Sequence, residues 1–263
     1  MNPQAVVTGA SSGIGLELAK VFADNGFDLV IAAEDDAVDT VGEEIRGRGG
    51  VQVDAVQVDL SSYQGVEDLV ARIRASGRPV DVLAVNAGVG VGGDFVRDTS
   101  VDDNLEIVNL NVTSAVHLTH RVVSDMVDRK EGRVLFTSSV AATTPGPFQT
   151  VYAASKAFLA SFGQGLREEL KDTGVSVTLL MPGPTDTNFF DRAGMQDTKV
   201  AQAAKDDPAQ VAREGFEALM KGKDHVVAGS VKNKAQALAG RALPDPVKAK
   251  AHRKMSEPGS AES

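Results

Sequence analysis

Residues 5–15 read Ala5-Val6-Val7-Thr8-Gly9-Ala10-Ser11-Ser12-Gly13-Ile14-Gly15. A short apolar run meets three glycines spaced G-x-x-x-G-x-G. A helical apolar pattern then follows at Ile14, Leu18, Val21 and Phe22 and stops at Asn25-Gly26. An unbroken apolar run bounded by a turn predicts a strand buried on both faces. The segment after it predicts an amphipathic helix closed by glycine. The turn between them has the chemistry of a phosphate cradle. Its glycines let the backbone approach a pyrophosphate, and the amides at the helix N-terminus carry positive partial charge. An ordinary tight strand-to-helix turn uses glycine too, so the surroundings give this turn its meaning.

Outward from the turn, the chain alternates two periodicities. Leu29–Ala33 predicts a second buried strand, Val38–Arg46 a helix stopped by Gly47-Arg48-Gly49-Gly50, and Val51–Val58 a third strand. Val66, Leu69, Val70 and Ile73 mark another helix, and Val80–Val85 a fourth strand. The steps Val101, Leu105, Val108, Val112 and Ala115, continued at Leu118, Val122 and Met126, predict one long helix over 101–129. Arg133–Ser138 predicts a strand, 150–172 a long helix and Val175–Met181 a strand. Asp207-Pro208 supplies an N-cap and first helical residue for a helix reaching Met220, and His225–Ala228 closes the pattern as a short strand. Such alternation with short links means right-handed crossovers and a parallel sheet: an α/β fold. The link over 183–206 lacks periodicity and sits where an α/β enzyme places a substrate lid. One domain is expected over 1–256, with 232–256 as a C-terminal helical extension and 257–263 as a frayed or disordered tail.

Composition bounds the function. The chain has 263 residues, 42% hydrophobic and 24% charged, which fits one folded domain and excludes a disordered or fibrous chain. No apolar stretch approaches ~18 residues, so no membrane partner is expected. The N-terminus lacks the charged start and longer apolar run of a secretory signal, so a cytoplasmic location is expected. Cysteine is absent, which removes disulfides, thiolate metal sites and a cysteine nucleophile. A formal charge of −9 repels phosphate backbones, so no nucleic-acid partner is expected.

Two further clusters carry chemistry. The end of the second strand is where an adenosine ribose is recognised, and there Glu34, Asp35 and Asp36 follow directly with no Arg or Lys beside them. A 2′-phosphate meets like charge there, whereas a free 2′-hydroxyl can donate to Glu34. This favours NAD, with NADP requiring a basic group from elsewhere. A solvated loop is the other reading of Glu34. Downstream, Tyr152 and Lys156 are four apart at a helix start and share a face. Ser139 lies 13 residues upstream of Tyr152, and Pro145, Gly146 and Pro147 let it fold back. A phenol with a pKa near ~10 is a poor acid or base at neutral pH. A nearby ammonium stabilises the phenolate, and a serine hydroxyl can hold a carbonyl oxygen. Taken singly, these residues are equally a solvated helical pair and a strand-end cap.

Together with the glycine turn, the residues resemble the short-chain dehydrogenases/reductases. The resemblance covers residues 4–190 and rests on Thr8-Gly9-x-x-x-Gly13-x-Gly15, Asp59, Asn86-Ala87-Gly88, Asn111, Ser139, Tyr152-x-x-x-Lys156 and Pro182-Gly183. It implies a single-domain α/β fold with a Rossmann-type doubly wound parallel sheet of about seven strands. It also implies an NAD(P)-dependent oxidoreductase moving a hydride between the cofactor and a secondary alcohol or ketone. Within the implied catalytic tetrad, Tyr152 is the acid/base and Ser139 orients substrate. Lys156 binds the nicotinamide ribose and acidifies Tyr152, and Asn111 holds a water that relays protons from Lys156. The implied cofactor set comprises Thr8, Gly9, Ser11, Ser12, Gly13, Ile14 and Gly15 in the turn, with Glu34 after the second strand. Asp59 and Leu60 meet the adenine, Asn86, Ala87 and Gly88 pass beneath the cofactor, and Tyr152 and Lys156 face its ribose. Pro182, Gly183, Thr185 and Thr187 lie in the segment that contacts the carboxamide, with Thr187 as hydroxyl donor. The family's habit also implies a homodimer or homotetramer packed through the helices at 101–129 and 150–172. One departure concerns cofactor choice. NADP-preferring members often carry Arg where Glu34 stands, NAD-preferring members often carry Asp where Ala33 stands, and this chain has neither.

A non-catalytic dinucleotide sensor on this fold is the alternative; it predicts loss of Tyr152 or Lys156, and both are present. A lyase or dehalogenase variant predicts a damaged glycine turn, which is intact. His117 and His120 are i, i+3 with no third ligand near in sequence, so a helix-face or interface role is expected and no metal site. Phe189, Phe190 and Met195 either line an apolar pocket for a moderately hydrophobic substrate or pack the link onto the core. The basic residues Lys248, Lys250, Arg253 and Lys254 read as a solvated helix face, with pairing to a neighbouring subunit or to the protein's own acidic surface as the alternative.

Overall fold

The computed structural model describes residues 1–230 and 243–262. Seven strands among them form one parallel sheet: β1 (Gln4–Thr8), β2 (Asp28–Ala33), β3 (Val53–Gln57), β4 (Val82–Val85), β5 (Gly132–Thr137), β6 (Val175–Pro182) and β7 (His225–Ala228). Their spatial order is β3-β2-β1-β4-β5-β6-β7, and every pairing is parallel. This is the doubly wound Rossmann-type sheet expected.

The strand side chains alternate between two cores, as a period of two requires. Val6, Val30, Leu83 and Phe136 face one core, where α3 (Tyr63–Ala75), α5 (Ser114–Arg129) and α6 (Thr150–Glu169) cover the sheet. Val7, Ile31, Ala84 and Leu135 face the other, beneath α1 (Gly13–Asp24), α2 (Ala37–Gly47) and α9 (Pro208–Met220). Burying each large apolar side chain stabilises the fold by roughly 1.5–3 kcal/mol, so a sheet covered on both faces reads as the unbroken apolar runs seen in the sequence. Phe22, Phe27 and Phe216 add an edge-to-face aromatic set between α1 and α9.

The order of the strands reverses between β1 and β4. Chain leaving β1 crosses to one face, while chain leaving β4 crosses to the other. This opens a crevice at the carboxyl edge, where ligands of such sheets bind.

Two expectations need correction. The long helix predicted over 101–129 is interrupted. It runs as α4 (Val101–Val108), a π turn over Asn109–Thr113, and α5. The apolar stripe continues through it, but Asn111 is drawn inward to bond the backbone of Val89, and the wider turn accommodates that displacement. The tail expected to be frayed from 257 is held over 257–262. Gly259 N–H donates to Asp197 Oδ2 at 2.6 Å, Ala261 N–H to the Asp197 carbonyl at 2.9 Å, and Ser260 Oγ accepts Lys199 N–H at 3.0 Å. Backbone groups, a serine hydroxyl and the Asp197 carboxylate make this docking, so no hydrophobic period announced it. Of the C-terminal extension, α10 (Asp245–Ser256) is helical as expected, while 232–242 and residue 263 lie outside the described residues. Among the described residues, no helix is long and apolar enough to cross a membrane.

Candidate active site

Thr8, the last residue of β1, ties the crevice together. Its Oγ1 accepts the N–H groups of Asn86 and Ala87, each at 3.0 Å. Asn86 Nδ2 in turn donates to the Thr8 carbonyl at 3.1 Å. The glycine turn and the Asn86-Ala87-Gly88 segment are thereby welded into one rim. Gly9 has φ +66°, and a Cβ there would stand 2.8 Å from Ala87 Cα. At Gly15, a Cβ would fall 2.0 Å from the Gly9 carbonyl oxygen. The turn therefore closes tightly only with glycine.

The start of α1 is left available to a ligand. Ser12 at the N-cap makes no side-chain cap bond among the described residues, and the first turn holds no acidic side chain. Its amides and their positive partial charge face a cavity of about 760 Å³ that runs from the β2 end to Tyr152. The cavity lies in the size range of small-molecule sites. Close-approach glycines and an uncapped helix start fit a pyrophosphate.

Of the expected tetrad, Ser139, Tyr152 and Lys156 line the other end of this cavity, while Asn111 is buried and does not line it. Asn111 is 1% exposed. Its Oδ1 accepts Val89 N–H at 2.9 Å, and its Nδ2 donates to the Val89 carbonyl at 2.9 Å and to Ser155 Oγ at 3.0 Å. Ser155 Oγ donates to the Tyr152 carbonyl at 2.7 Å, so Asn111 braces both Val89 and the first turn of α6. Ser139 caps the short 3-10 turn Val140–Thr143 by accepting Ala141 N–H at 3.1 Å. Lys156 Nζ donates to the Thr137 carbonyl at 3.0 Å and lies 5.7 Å from the centroid of the Tyr152 ring. Ser138 Oγ donates to the Lys156 carbonyl at 2.8 Å, which locks the lysine's own backbone to the end of β5.

Burial dominates the electrostatics. It pushes the Tyr152 phenol up to about 12, partly offset by a hydrogen bond with Ser139. It also pulls the Lys156 amine down to about 8. The expected acidification of Tyr152 by Lys156 is thus outweighed here: the amine is committed to Thr137, and desolvation favours the neutral form of both groups.

The expected cofactor residues collect along the cavity. Leu60 is buried, while Asp59 is exposed and accepts Ser61 N–H at 2.8 Å. A Cβ at Gly88 would stand 3.0 Å from Asn111 Oδ1 and 3.1 Å from Lys156 Nζ, so this glycine keeps the tetrad open to the cleft. Ser11, Ile14, Pro182 and Gly183 line the wall. Thr185 spends its hydroxyl on the Gly183 carbonyl at 2.9 Å. Thr187 Oγ1 accepts Phe189 N–H at 3.3 Å, which leaves its O–H to donate, and its methyl lies against Gly13. Glu34 is exposed, and its carbonyl accepts Gln57 Nε2 at 3.0 Å.

The link over 183–206 divides its apolar residues. Phe189, in α7 (Phe189–Arg192), meets the Tyr152 ring at 4.9 Å and lines the cavity. Met195 instead packs inward against Gly92, while Phe190 is buried beside α8 (Lys199–Gln202) and also borders the cavity. Phe189 and Phe190 thus border the cavity, and Phe190 and Met195 pack the link onto the core.

The basic C-terminal helix divides between the solvated-face reading and the alternative of pairing with the protein's own surface. Lys250 and Lys254 are exposed as a solvated face requires. Lys248, however, is 12% exposed and donates to the Thr143 carbonyl at 3.0 Å, its stem buried as long cationic side chains permit. Arg253 stacks 5.3 Å over Phe148, which holds φ 63°, and His252 bonds the Pro147 backbone. Burial pulls His252 below its usual value, and the Pro147 bond opposes that. Together these contacts clamp α10 onto the loop that follows Ser139.

The sequence left pairing with the protein's own surface open as the alternative, but the partners Thr143, Pro147 and Phe148 could not be read from it because the contacts are polar and distant in the chain. Sequence reasoning also missed the partners Val89 and Ser138, which follow from proximity alone. His117 lies 2.5 Å from Glu67 Oε1 and stacks on Tyr63, a helix-face role. Among the described residues, no group of three potential metal ligands gathers.

The profile of a family described as short chain dehydrogenase matches residues 3–198. A short chain dehydrogenase of Pseudocercospora fijiensis is 37% identical over 187 residues, spanning 70% of this chain and 60% of that relative. Among solved structures, a short-chain dehydrogenase from Sphingobium yanoikuyae in complex with NADPH has a TM-score of 0.81 at 29% identity, covering 90% of this chain and 92% of the other. A short-chain dehydrogenase/reductase from Burkholderia phymatum in complex with NAD has a TM-score of 0.81 at 26% identity, covering 92% of each chain.

Proposed function

The chain belongs to the short-chain dehydrogenase family and is a nicotinamide-dependent oxidoreductase acting on CH–OH groups, and on that premise we propose that its substrate pair is a secondary alcohol and its ketone, with Tyr152 exchanging the proton. The observation that carries this reading is the meeting of Tyr152, Ser139 and Lys156 at one end of a cavity whose other end is the glycine turn.

The bound nicotinamide supplies a hydride acceptor or donor. The chain's own residues do the rest. Gly9, Gly13 and Gly15 let the backbone close on the pyrophosphate, and the α1 amides meet its charge. Ser139 shares a hydrogen bond with Tyr152, so one carbonyl oxygen can be held by both hydroxyls. Tyr152 gives its proton to that oxygen in reduction and takes it back in oxidation. Lys156, with its pKa near 8, is largely cationic at neutral pH and places that charge over the ring face. Asn111 acts first as a brace. Both of its amide hydrogens are spent on Val89 and Ser155, so a proton relay at this residue has to use its acceptor oxygens.

Phe189 beside Tyr152 favours a moderately hydrophobic substrate. Glu34, Asp35 and Asp36 at the end of β2 favour NAD over NADP. Leu105, Val116 and Phe158 stand exposed on α4, α5 and α6, which supports a homo-oligomer packed through these helices. The test is a screen of secondary alcohols and ketones with each cofactor, followed at the reduced-nicotinamide absorbance. Turnover that needs Tyr152 supports the reading. Turnover confined to compounds with no alcohol or carbonyl would overturn it.

A further inference from the structure

The C-terminal helix α10 turns one face to the cavity. Lys248, Ala251, His252, Met255 and Ser256 all line it, and their steps of three and four residues are those of a single helix face. Ala251 and Met255 make part of that face apolar. His252 spends its ring on the Pro147 backbone and on Ser256 Oγ, at 3.3 Å, and burial pulls it below its usual value. Lys248 is therefore the cation that this face offers.

Its ammonium is held at the cavity wall. Nζ donates to the carbonyl of Thr143, which also lines the cavity, at 3.0 Å, and to Asp245 Oδ1 at 2.7 Å. These are its two bonds among the described residues, and an ammonium carries three hydrogens. The pair is unequally exposed, 12% for the Lys248 side chain and 73% for that of Asp245. The carboxylate thus stands in solvent, where water and salt screen it, while the cation borders the cavity. Among the cavity-lining residues of 137–156 and 243–256, none is Asp or Glu. Glu34, Asp35 and Asp59 border the cavity beyond β2 and β3, and Asp206, after β6, accepts Ser230 N–H at 3.0 Å. Thr143 also sets how far the cation lies from the reaction, because it ends the 3-10 turn that Ser139 caps. Four residues of such a turn rise on the order of 8 Å. A saturated chain of about six bonds spans that distance.

We infer that Lys248 is a substrate-binding residue, holding a carboxylate at the end of an apolar chain whose reacting carbon lies at Tyr152 and Ser139. The substrate class is then a hydroxy acid and its oxo acid, with the acid group remote from the reacting carbon. Phe189, Ala251 and Met255 offer apolar surface to the chain between. This deepens the functional reading above and rests on it.

Two measurements test it. Straight-chain methyl ketones of about five to nine carbons, ending either in a carboxylate or in its methyl ester, are assayed with the unaltered protein, Lys248→Met, Lys248→Arg and Lys205→Gln. The unaltered protein should favour the acid in kcat/KM by about tenfold, through KM. Lys248→Met should bring the ratio to about one, and Lys248→Arg should keep it above about threefold. Loosening of the docked helix would slow acid and ester alike, so a ratio unmoved in Lys248→Met overturns the proposal. So does a preference lost in Lys205→Gln, whose cation instead lies 5.3 Å over the Phe190 ring. Calorimetry of the cofactor-loaded protein with hexanoate and hexanamide makes the comparison without turnover. Hexanoate should bind about tenfold more tightly, and Lys248→Met should remove the difference. Equal binding of the two by the unaltered protein overturns the proposal. If acid and ester ketones are turned over equally, the proposal alone falls. If the chain binds no nicotinamide cofactor, the functional reading fails and takes the proposal with it.

Discussion

Lys156 holds its Nζ 5.7 Å from the centroid of the Tyr152 ring while donating to the Thr137 carbonyl at 3.0 Å. Both side chains are moved by the same cause. Burial raises the phenol to about 12 and lowers the amine to about 8, so the folded protein resists charging either group.

A stability consequence follows for the lysine. Below pH 8 the amine is protonated in the folded and unfolded chains alike, and its burial opposes folding. Between about 8 and 10.5 the unfolded chain still binds a proton that the folded chain has released, so stability rises with pH. Lys156→Met should therefore be more stable than the unaltered protein at pH 7 by roughly 2–3 kcal/mol, after allowance for the lost bond to Thr137. That advantage should shrink as pH climbs toward 10.5. Urea melts at pH 7 and pH 9.5 check it; an advantage that grows with pH would show that burial of the amine is not the cause.

The glycine turn gives a sharper steric expectation. Gly9→Ala puts a Cβ at φ +66° and 2.8 Å from Ala87 Cα. The strained backbone should cost about 1–3 kcal/mol of stability. The displaced rim should weaken cofactor binding by more than about tenfold. Thermal melts and cofactor titration measure the two effects separately. Full cofactor affinity in a folded Gly9→Ala protein would mean that the rim does not hold the pyrophosphate.

The C-terminal helix should matter to substrate and little to cofactor. Lys248, His252 and Arg253 grip Thr143, Pro147 and Phe148, in the loop between Ser139 and α6. Removing residues 244–263 should raise KM for a turned-over substrate by roughly tenfold and leave the cofactor Kd unchanged. Steady-state kinetics beside a cofactor titration read this split. Equal losses in both would mean that the segment supports the whole fold rather than one wall of the pocket.

Exposed apolar residues on the long helices predict self-association. Leu105, Val116 and Phe158 leave apolar surface open on α4, α5 and α6. Light scattering should report a dimer or tetramer, and Phe158→Glu should lower the mass. A monomer at every concentration would contradict that expectation.

Much of the fold was legible because this sheet is covered on both faces. Buried strands such as Leu29–Ala33 have no polar side to blur them, and helices such as Pro208–Met220 carry their own caps. The glycine turn was legible because its spacing encodes geometry directly, and a four-residue step placed Tyr152 and Lys156 on one face; the expected tetrad as a set, Asn111 included, came from the family resemblance and not from spacing. What escaped was set by contacts without local period. The π turn at Asn111 answers to Val89, far away in the chain. The docked tail answers to Asp197 through backbone groups that any residue carries. The pairing of Arg192 with Asp35 joins the link after β6 to the end of β2, and only folding brings the two together.

The most direct measurement is the Tyr152→Phe protein, assayed for turnover of a competent alcohol or ketone and titrated with cofactor in parallel. Loss of the hydroxyl proton should lower kcat by about 10²–10⁴, with the cofactor Kd unchanged. Unchanged turnover would contradict the assignment of the proton to this phenol.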